Sequence, residues 1–495
     1  MKKETKKRAM RLLPAAVAGT AAAALVAKAA KFVPEKREAM PFEDENVNLD
    51  RFIENLSDAI KIPTITCGEA EKIDWSQFLK FHAFLEERYP LIHKSLSKEL
   101  VNGYSLLYLW KGKNPGLDPI ALLSHQDVVP VSEGTEQDWK FPPFSGHFDG
   151  ENIWGRGSLD MKNHLIGVME SVETLLEEGF EPERDVYLCF GQDEEIMCGK
   201  DSGAYAIMSI LKERGVHLDS IIDEGGAIIP ANIKGVMNKK LAGVGVAEKG
   251  YADFEISVLA KGGHSSQPPK HTALGEMADV IKDLEGNQFK AKINPMMSEL
   301  LERVGRNVSL PARLITSNLS ALKPLLARIM IEIPPAACMI RTTTAVTMAS
   351  GSPSENVLPQ KASINVNFRL MPGMKLSDVE DHIKKVVRNK NIEIRFKKGK
   401  EPSKISPTDS RAFKAIEDIC FGMDKDRIVA PFLVMGGTDA CQYEDVCENI
   451  YRFSPFVFGA ELLLVAHGTN ERIPVSCMRD GIVFFKKYIK TLAGE

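Results

Sequence analysis

Apolar side chains recur at Phe52, Leu56 and Ile60, which places them on one face of an amphipathic helix over 50–62. Two strand-like runs follow, SLLYLW at 105–110 and PIALLS at 119–124, split by the turn-rich GKNPGLDP. From Asp160 onward, Leu165, Val168, Met169, Val172, Leu175 and Leu176 form a helical stripe that ends near Gly179. VYLCF at 186–190 is short and unbroken, as expected of a strand covered on both faces. AYAIMSILKERG reads as a helix and SIID at 220–223 as a strand. This alternation predicts an α/β unit with a largely parallel sheet.

The pattern changes near Glu248. YADFEISVLAKG (251–262) alternates, which indicates a sheet with one open face. A helix is expected over 272–285, and 290–340 reads as irregular. RTTTAVTMASG and ASINVNFRLMPG alternate again, followed by a charged helix (376–389) and IEIRFKKG. The α/β pattern resumes near 402, with helices over 411–421 and 479–492. We therefore expect a catalytic-type α/β unit over 49–247 and 402–495, interrupted by an inserted α+β unit over 248–401. A chain of 495 residues is also too long for one core, since cores stop growing near roughly 250–300 residues.

The chain is 44% hydrophobic and 26% charged, as in soluble globular proteins. Its formal net charge of -4 gives no reason to expect nucleic acid as a partner. Eight cysteines form no CxxC pair and read as small buried hydrophobes. The first residues differ from the rest. MKKETKKRAMR carries six basic residues and one acid, and the uncharged LLPAAVAGTAAAALVA follows. Residues 1–33 are expected to be a membrane anchor or a signal peptide, with anchor preferred, and 34–48 a polar tether. Either would place the folded part outside the cytoplasm.

Candidate chemistry then falls at the ends of apolar runs. His125 and Asp127 follow ALLS, Asp160 follows the turn GRGSL, and Glu194 and Glu195 follow CFGQD. Asp223 ends SIID, and His467 follows ELLLVA. Open α/β sheets bind ligands beyond the carboxyl ends of their strands. Two imidazoles and several carboxylates, with no thiolate, suit zinc or another borderline divalent ion. In extended chain Asp127 points the same way as His125, so it can orient that ring. Each residue alone has an ordinary explanation: Asp160 as a helix cap, Glu194 and Glu195 as a solvated pair, His467 as a core histidine.

HxDVVP, GRGSLDMK, DEE, DEGG, GGHSSQP, ENVLP, NFRLMPG, GGTDA and HGTNERI occur in one order over about 45–495. Together they resemble the M20 metallopeptidases, in particular the branch of carboxypeptidase S and N-fatty-acyl-amino-acid synthase/hydrolase. The resemblance implies a di-zinc aminopeptidase-like catalytic domain with an inserted lid or dimerisation domain. It implies two zinc ions per subunit, with cobalt or manganese as substitutes. His125 and Asp223 would hold one ion, Glu195 and His467 the other, and Asp160 would bridge them. Glu194 would be the general base and Asp127 the orienter of His125. His264 would act across a homodimer interface on the scissile carbonyl. Arg369, with Gly436, Gly437 and Thr438, would hold a substrate carboxylate, and Asn356 would assist near the carbonyl oxygen. The implied reaction is hydrolysis, or formation, of the amide bond of an N-acyl amino acid or of a peptide with a free carboxylate. Carboxypeptidase or dipeptidase action on short peptides is the alternative. A binding protein on a dead hydrolase scaffold is the reading outside enzymology, and the presence of Glu194 with all five ligands argues against it.

Overall fold

A computed structural model describes residues 24–34, 43–196 and 199–494. Most of the expected anchor or signal segment, and part of the tether, lies outside the described residues. Residues 24–31 form a short helix, and no described helix is long and apolar enough to cross a membrane.

The larger sheet has nine strands. Four of them are parallel neighbours at its centre: Val186–Gly191, Ile120–His125, Ser220–Asp223 and Ile450–Arg452. Antiparallel strands Ser97–Val101 and Ser105–Trp110 extend one side. On the other side Met237–Glu248 runs antiparallel to Ile450–Arg452, and pairs with Ala227–Ile233 and Arg427–Val434. The sheet is thus mixed, with the expected parallel order confined mainly to the middle. The strands 120–125, 186–191 and 220–223 are buried along their whole length. Helices Leu49–Ile60, Lys162–Glu177 and Met478–Ala493 pack against one another over the sheet. The first begins at Asn48, whose side chain accepts the Arg51 amide at 3.1 Å, and buries Phe52, Leu56 and Ile60 as the pattern required.

A second, four-stranded sheet is built wholly from residues 250–400. Its order is Thr343–Ser350, Lys361–Leu370, Gly250–Leu259 and Ile392–Lys400, all antiparallel. Ala362, Ile364, Val366, Phe368 and Leu370 alternate inward against helices Ala273–Gly286 and Leu376–Val386. The strands of the large sheet stop at Glu248 and resume at Arg427, while helix Pro295–Gly305 packs back against Arg427–Val434.

One segment differs from the sequence expectation. Residues 290–340 are helical, with Pro295–Gly305, Leu310–Thr316, Leu319–Met330 and Pro334–Ala337. Pro295, Pro311 and Pro334 sit in first turns, where a missing N–H costs nothing, whereas Pro324 lies inside Leu319–Met330. The strand Arg427–Val434 contains Pro431, which the edge position tolerates because one side of that strand has no partner.

Candidate metal centre

The central parallel strands end together, and their ends carry the candidate ligands. His125 is the last residue of its strand and is buried. Its Nε2 lies 3.3 Å from Asp160 Oδ1 and 3.3 Å from Glu224 Oε1. His467 Nε2 lies 3.0 Å from Asp160 Oδ2 and 3.0 Å from Glu195 Oε2. Asp160 therefore offers one oxygen to each histidine. Two carboxylate–histidine groups sit side by side and share one aspartate.

The expectation for Asp223 is corrected. The acid beside His125 is the next residue, Glu224. Asp223 Oδ2 instead accepts the Ala440 amide at 2.9 Å. Successive residues of a strand point to opposite faces, so one carboxylate of this pair must turn away from the other. Asp160 is not a helix cap either. The following helix starts at Lys162 with Met161 at its N-cap, which leaves the Asp160 carboxylate free for the histidines. His467 does not end a strand. It occupies a left-handed turn, with φ of 59°, after a single 3-10 turn at Leu462–Leu464.

Asp127 is fully buried and holds the site from below. Its carboxylate accepts the Glu194 and Glu195 amides at 3.2 and 3.1 Å and the Thr66 hydroxyl at 2.6 Å. It also lies 3.3 Å from His125 Nδ1, which sits 3.0 Å from the Asp127 carbonyl oxygen as well. The Glu194 carboxylate is within 4.8 Å of ligand atoms on His125 and Glu224, so it reaches the same space.

The electrostatics are those of a ligand set that lacks cations of its own. Burial opposes the charged form of His125, but Glu224, Asp127 and Asp160 outweigh it and hold the imidazolium well above its usual range. Hydrogen bonds to the Asp160 and Glu195 carboxylates raise His467 to about 10. Burial, then Glu224, Asp439 and Glu195, push Glu194 well above ordinary carboxylates, against the pull of His125. Burial likewise raises Glu224 to about 8. Glu195 Oε1 is buried with no hydrogen-bond partner among the described residues. A buried lone pair without a donor is costly, and a cation between these groups would satisfy it. Two imidazoles, several carboxylates and no thiolate fit divalent zinc-type ions.

Two residues that the sequence reading passed over organise this centre. Glu471 is fully buried, and its Oε1 accepts the amides of Gly157, Leu159 and Asp160 at 3.0, 2.9 and 3.0 Å. Its Oε2 pairs with Arg156 at 2.6 Å, and Arg156 donates to the His467 carbonyl at 3.1 Å. The turn bearing Asp160 and the turn bearing His467 are thus tied through one ion pair. The available signal was position: Glu471 follows His467 by four residues and Arg156 precedes Asp160 by four.

The remaining candidates are not part of this cluster. His264 is exposed on the inserted unit, where Gly263–His264 pairs with Val357–Leu358 and Nδ1 accepts the Ser266 amide at 3.1 Å. Exposed Asn356 is its neighbour, with the Ser265 amide on its carbonyl at 3.1 Å. Arg369 lies in the four-stranded sheet with its guanidinium 5.0 Å over the Tyr251 ring, and no carboxylate among the described residues pairs with it. Gly436 is exposed and Gly437 half-buried. Thr438 is buried. Its amide and hydroxyl are both given to the buried Glu248, at 3.1 and 2.7 Å. Arg452 holds the same carboxylate at 2.7 Å.

Comparison with known proteins agrees with this geometry. The model of Peptidase family M20/M25/M40 matches residues 121–491. The chain is 36% identical over 441 residues to "Probable carboxypeptidase S-like 2" of Dictyostelium discoideum, covering 88% of this chain and 84% of that one. It is 33% identical to "N-fatty-acyl-amino acid synthase/hydrolase PM20D1" of Xenopus tropicalis, covering 89% and 85%. It is 34% identical to "Carboxypeptidase S" of Saccharomyces cerevisiae, covering 88% and 83%. Among solved structures, an M20 family metallo-carboxypeptidase from Sulfolobus solfataricus aligns with a TM-score of 0.63 at 19% identity, over 89% of this chain and 98% of that one. The sequence match, the fold and the paired carboxylate–histidine groups lead to one conclusion: this chain belongs to peptidase family M20 and is a metallohydrolase.

Proposed function

We propose that this enzyme holds two zinc ions and hydrolyses the amide bond of N-acyl amino acids, or of short peptides, that carry a free carboxylate. The supporting observation is Asp160 facing His125 with one oxygen and His467 with the other. His125, Glu224 and Asp160 would hold one ion, and His467, Glu195 and Asp160 the other. Bound divalent ions supply Lewis-acid polarisation of a carbonyl and make water more acidic. Glu194 takes a proton from water and delivers it to the leaving amine, a role that a raised carboxylate pKa favours. Asp127 and Glu471 fix the ligand-bearing turns, so the site is preorganised.

Arg369 is the group assigned to the substrate carboxylate. It has no anionic partner among the described residues, and a guanidinium matches a carboxylate bidentately. His264 and Asn356 stand exposed together, where they can serve the active site of a second subunit in a homodimer. Gly436 and Gly437 offer backbone amides that could take the same substrate carboxylate. The basic flank and apolar run at the N-terminus would serve as signal or anchor, which puts the enzyme outside the cytoplasm. The substrate class is drawn from the two kinds of relative, one named for N-fatty-acyl amino acids and one for carboxypeptidase action.

The test is a paired assay of the zinc-loaded enzyme with N-oleoyl and N-glycyl amino acids, each as free acid and as carboxamide. Free acids should be cleaved and carboxamides should be poor. Equal cleavage of acid and carboxamide would remove the carboxylate from the recognition scheme. Preference for the N-glycyl series would make the enzyme a dipeptidase or carboxypeptidase.

A further inference from the structure

A basin of about 840 Å³ lies on the inserted unit, between the start of the helical 290–340 segment and the edge of the four-stranded sheet. It shares no residue with the metal cluster. Lys290, Lys292, Arg341 and Lys385 line it, and no Asp or Glu does. None of these four cations has an ion-pair partner among the described residues, and the Arg341 Nε is buried with no acceptor. The whole chain has 67 acidic residues against 63 basic ones, so four unopposed cations are a local accumulation. His382 also lines the basin but does not add to the charge. Its Nε2 is 2.9 Å from the Asn287 carbonyl, its ring stacks on Phe289, and burial lowers its pKa.

Beside polar Asn287, Gln288, Asn294 and Thr342, the wall carries the apolar side chains of Phe289, Ile340, Met371, Met374 and Val386. The backbone under it is pinned from behind. The Lys249 ammonium donates to the Arg341 carbonyl at 2.9 Å, and Thr342 Oγ1 accepts the Met371 amide at 3.0 Å. The volume is within the usual range of small-molecule sites, roughly 300–1,000 Å³. A plain inorganic anion would leave the apolar wall wet, and a neutral lipid would leave the guanidinium N–H unmet.

We propose that this basin is a binding site for an amphipathic carboxylate, with the anion on Arg341 and its lysines and the aliphatic chain along Met371, Met374 and Val386. Free fatty acids and N-acyl amino acids share this chemistry. The inference rests on charge and shape alone and stands apart from the proposed reaction.

The test is equilibrium binding of oleate to the zinc-loaded full chain by calorimetry, with inorganic phosphate and dodecyltrimethylammonium as controls. One molecule of oleate should bind per chain, and neither control should. Lys290→Glu combined with Lys385→Glu, both at exposed positions, should weaken that binding at least ~10-fold, because charge-assisted contacts are the strong ones. Arg341→Gln should do the same with an unchanged melting temperature. His125→Ala should leave carboxylate binding intact. Wild-type affinity in the double charge variant, or equal binding of the cationic amphiphile, would overturn the proposal. Loss of oleate binding in His125→Ala would place the amphiphile at the metal centre and overturn it as well.

Discussion

Glu471 Oε1 accepts the main-chain N–H of Asp160 at 3.0 Å, although the two residues are 311 positions apart. With the amides of Gly157 and Leu159 on the same oxygen, this carboxylate shapes the turn that presents Asp160 to both histidines. Glu471→Ala should therefore act on metal retention as well as on stability. It leaves three buried amides and Arg156 unmet, a loss of about 3–5 kcal/mol for a broken buried pair. Thermal unfolding and metal content read the two effects. A large drop in melting temperature with metal fully retained would make Glu471 a fold residue only.

Glu224 and Asp223 are separated by the same logic. Glu224→Gln should lower metal occupancy, because its oxygen faces His125 at 3.3 Å. Asp223→Asn should retain metal, since Asp223 is occupied by the Ala440 amide. Elemental analysis of the two variants decides, and the reverse ranking would return Asp223 to the ligand set.

Glu194→Gln should keep its metal and lose about 10²–10⁴ in kcat, the usual contribution of general acid–base catalysis. Single-turnover rates and metal content measured on one preparation separate base from ligand. Loss of metal together with activity would make Glu194 a ligand.

The ligand set also predicts a pH effect. In the metal-free protein His467 keeps its proton up to about 10, and His125 is raised too. A raised histidine adds stability that is fully present below its unfolded pKa, about 6.5, and is lost as pH climbs through the folded value. The metal-free protein should then lose stability between pH 6.5 and about 10. Metal uptake in that window must expel protons, so affinity rises with pH. Calorimetry at pH 8 in buffers of different ionisation enthalpy should show proton release on zinc binding. Uptake without proton release would mean that the histidines are already neutral.

If His264 works across a dimer, mixing Glu194→Gln with His264→Ala chains should restore activity. A mixed dimer holds one site with an intact base from one chain and an intact histidine from the other. No recovery after proven subunit exchange would confine His264 to its own chain or remove it from the reaction.

Much of this site was legible in the sequence because strand ends announce themselves. SLLYLW, PIALLS, VYLCF and SIID are unbroken apolar runs, and the structure makes each a strand within a residue or so. His125, Asp160, Glu195 and His467 stand together because each follows such a run or a glycine-rich turn. What failed depends on orientation and distant partners. Whether Asp223 or Glu224 faces His125 is set by side-chain direction at a strand end. The use of Thr438 by Glu248 depends on two segments 190 residues apart. The helices of 290–340 were not legible: three prolines there sit in first turns, and Pro324 lies inside Leu319–Met330.

The central claim is a pair of ions sharing Asp160, and metal stoichiometry tests it most directly. Elemental analysis of purified wild type, His125→Ala and His467→Ala should give two, about one and about one divalent ion per chain, with turnover nearly abolished in both variants. A single ion in the wild type, or full activity in both variants, would contradict the account.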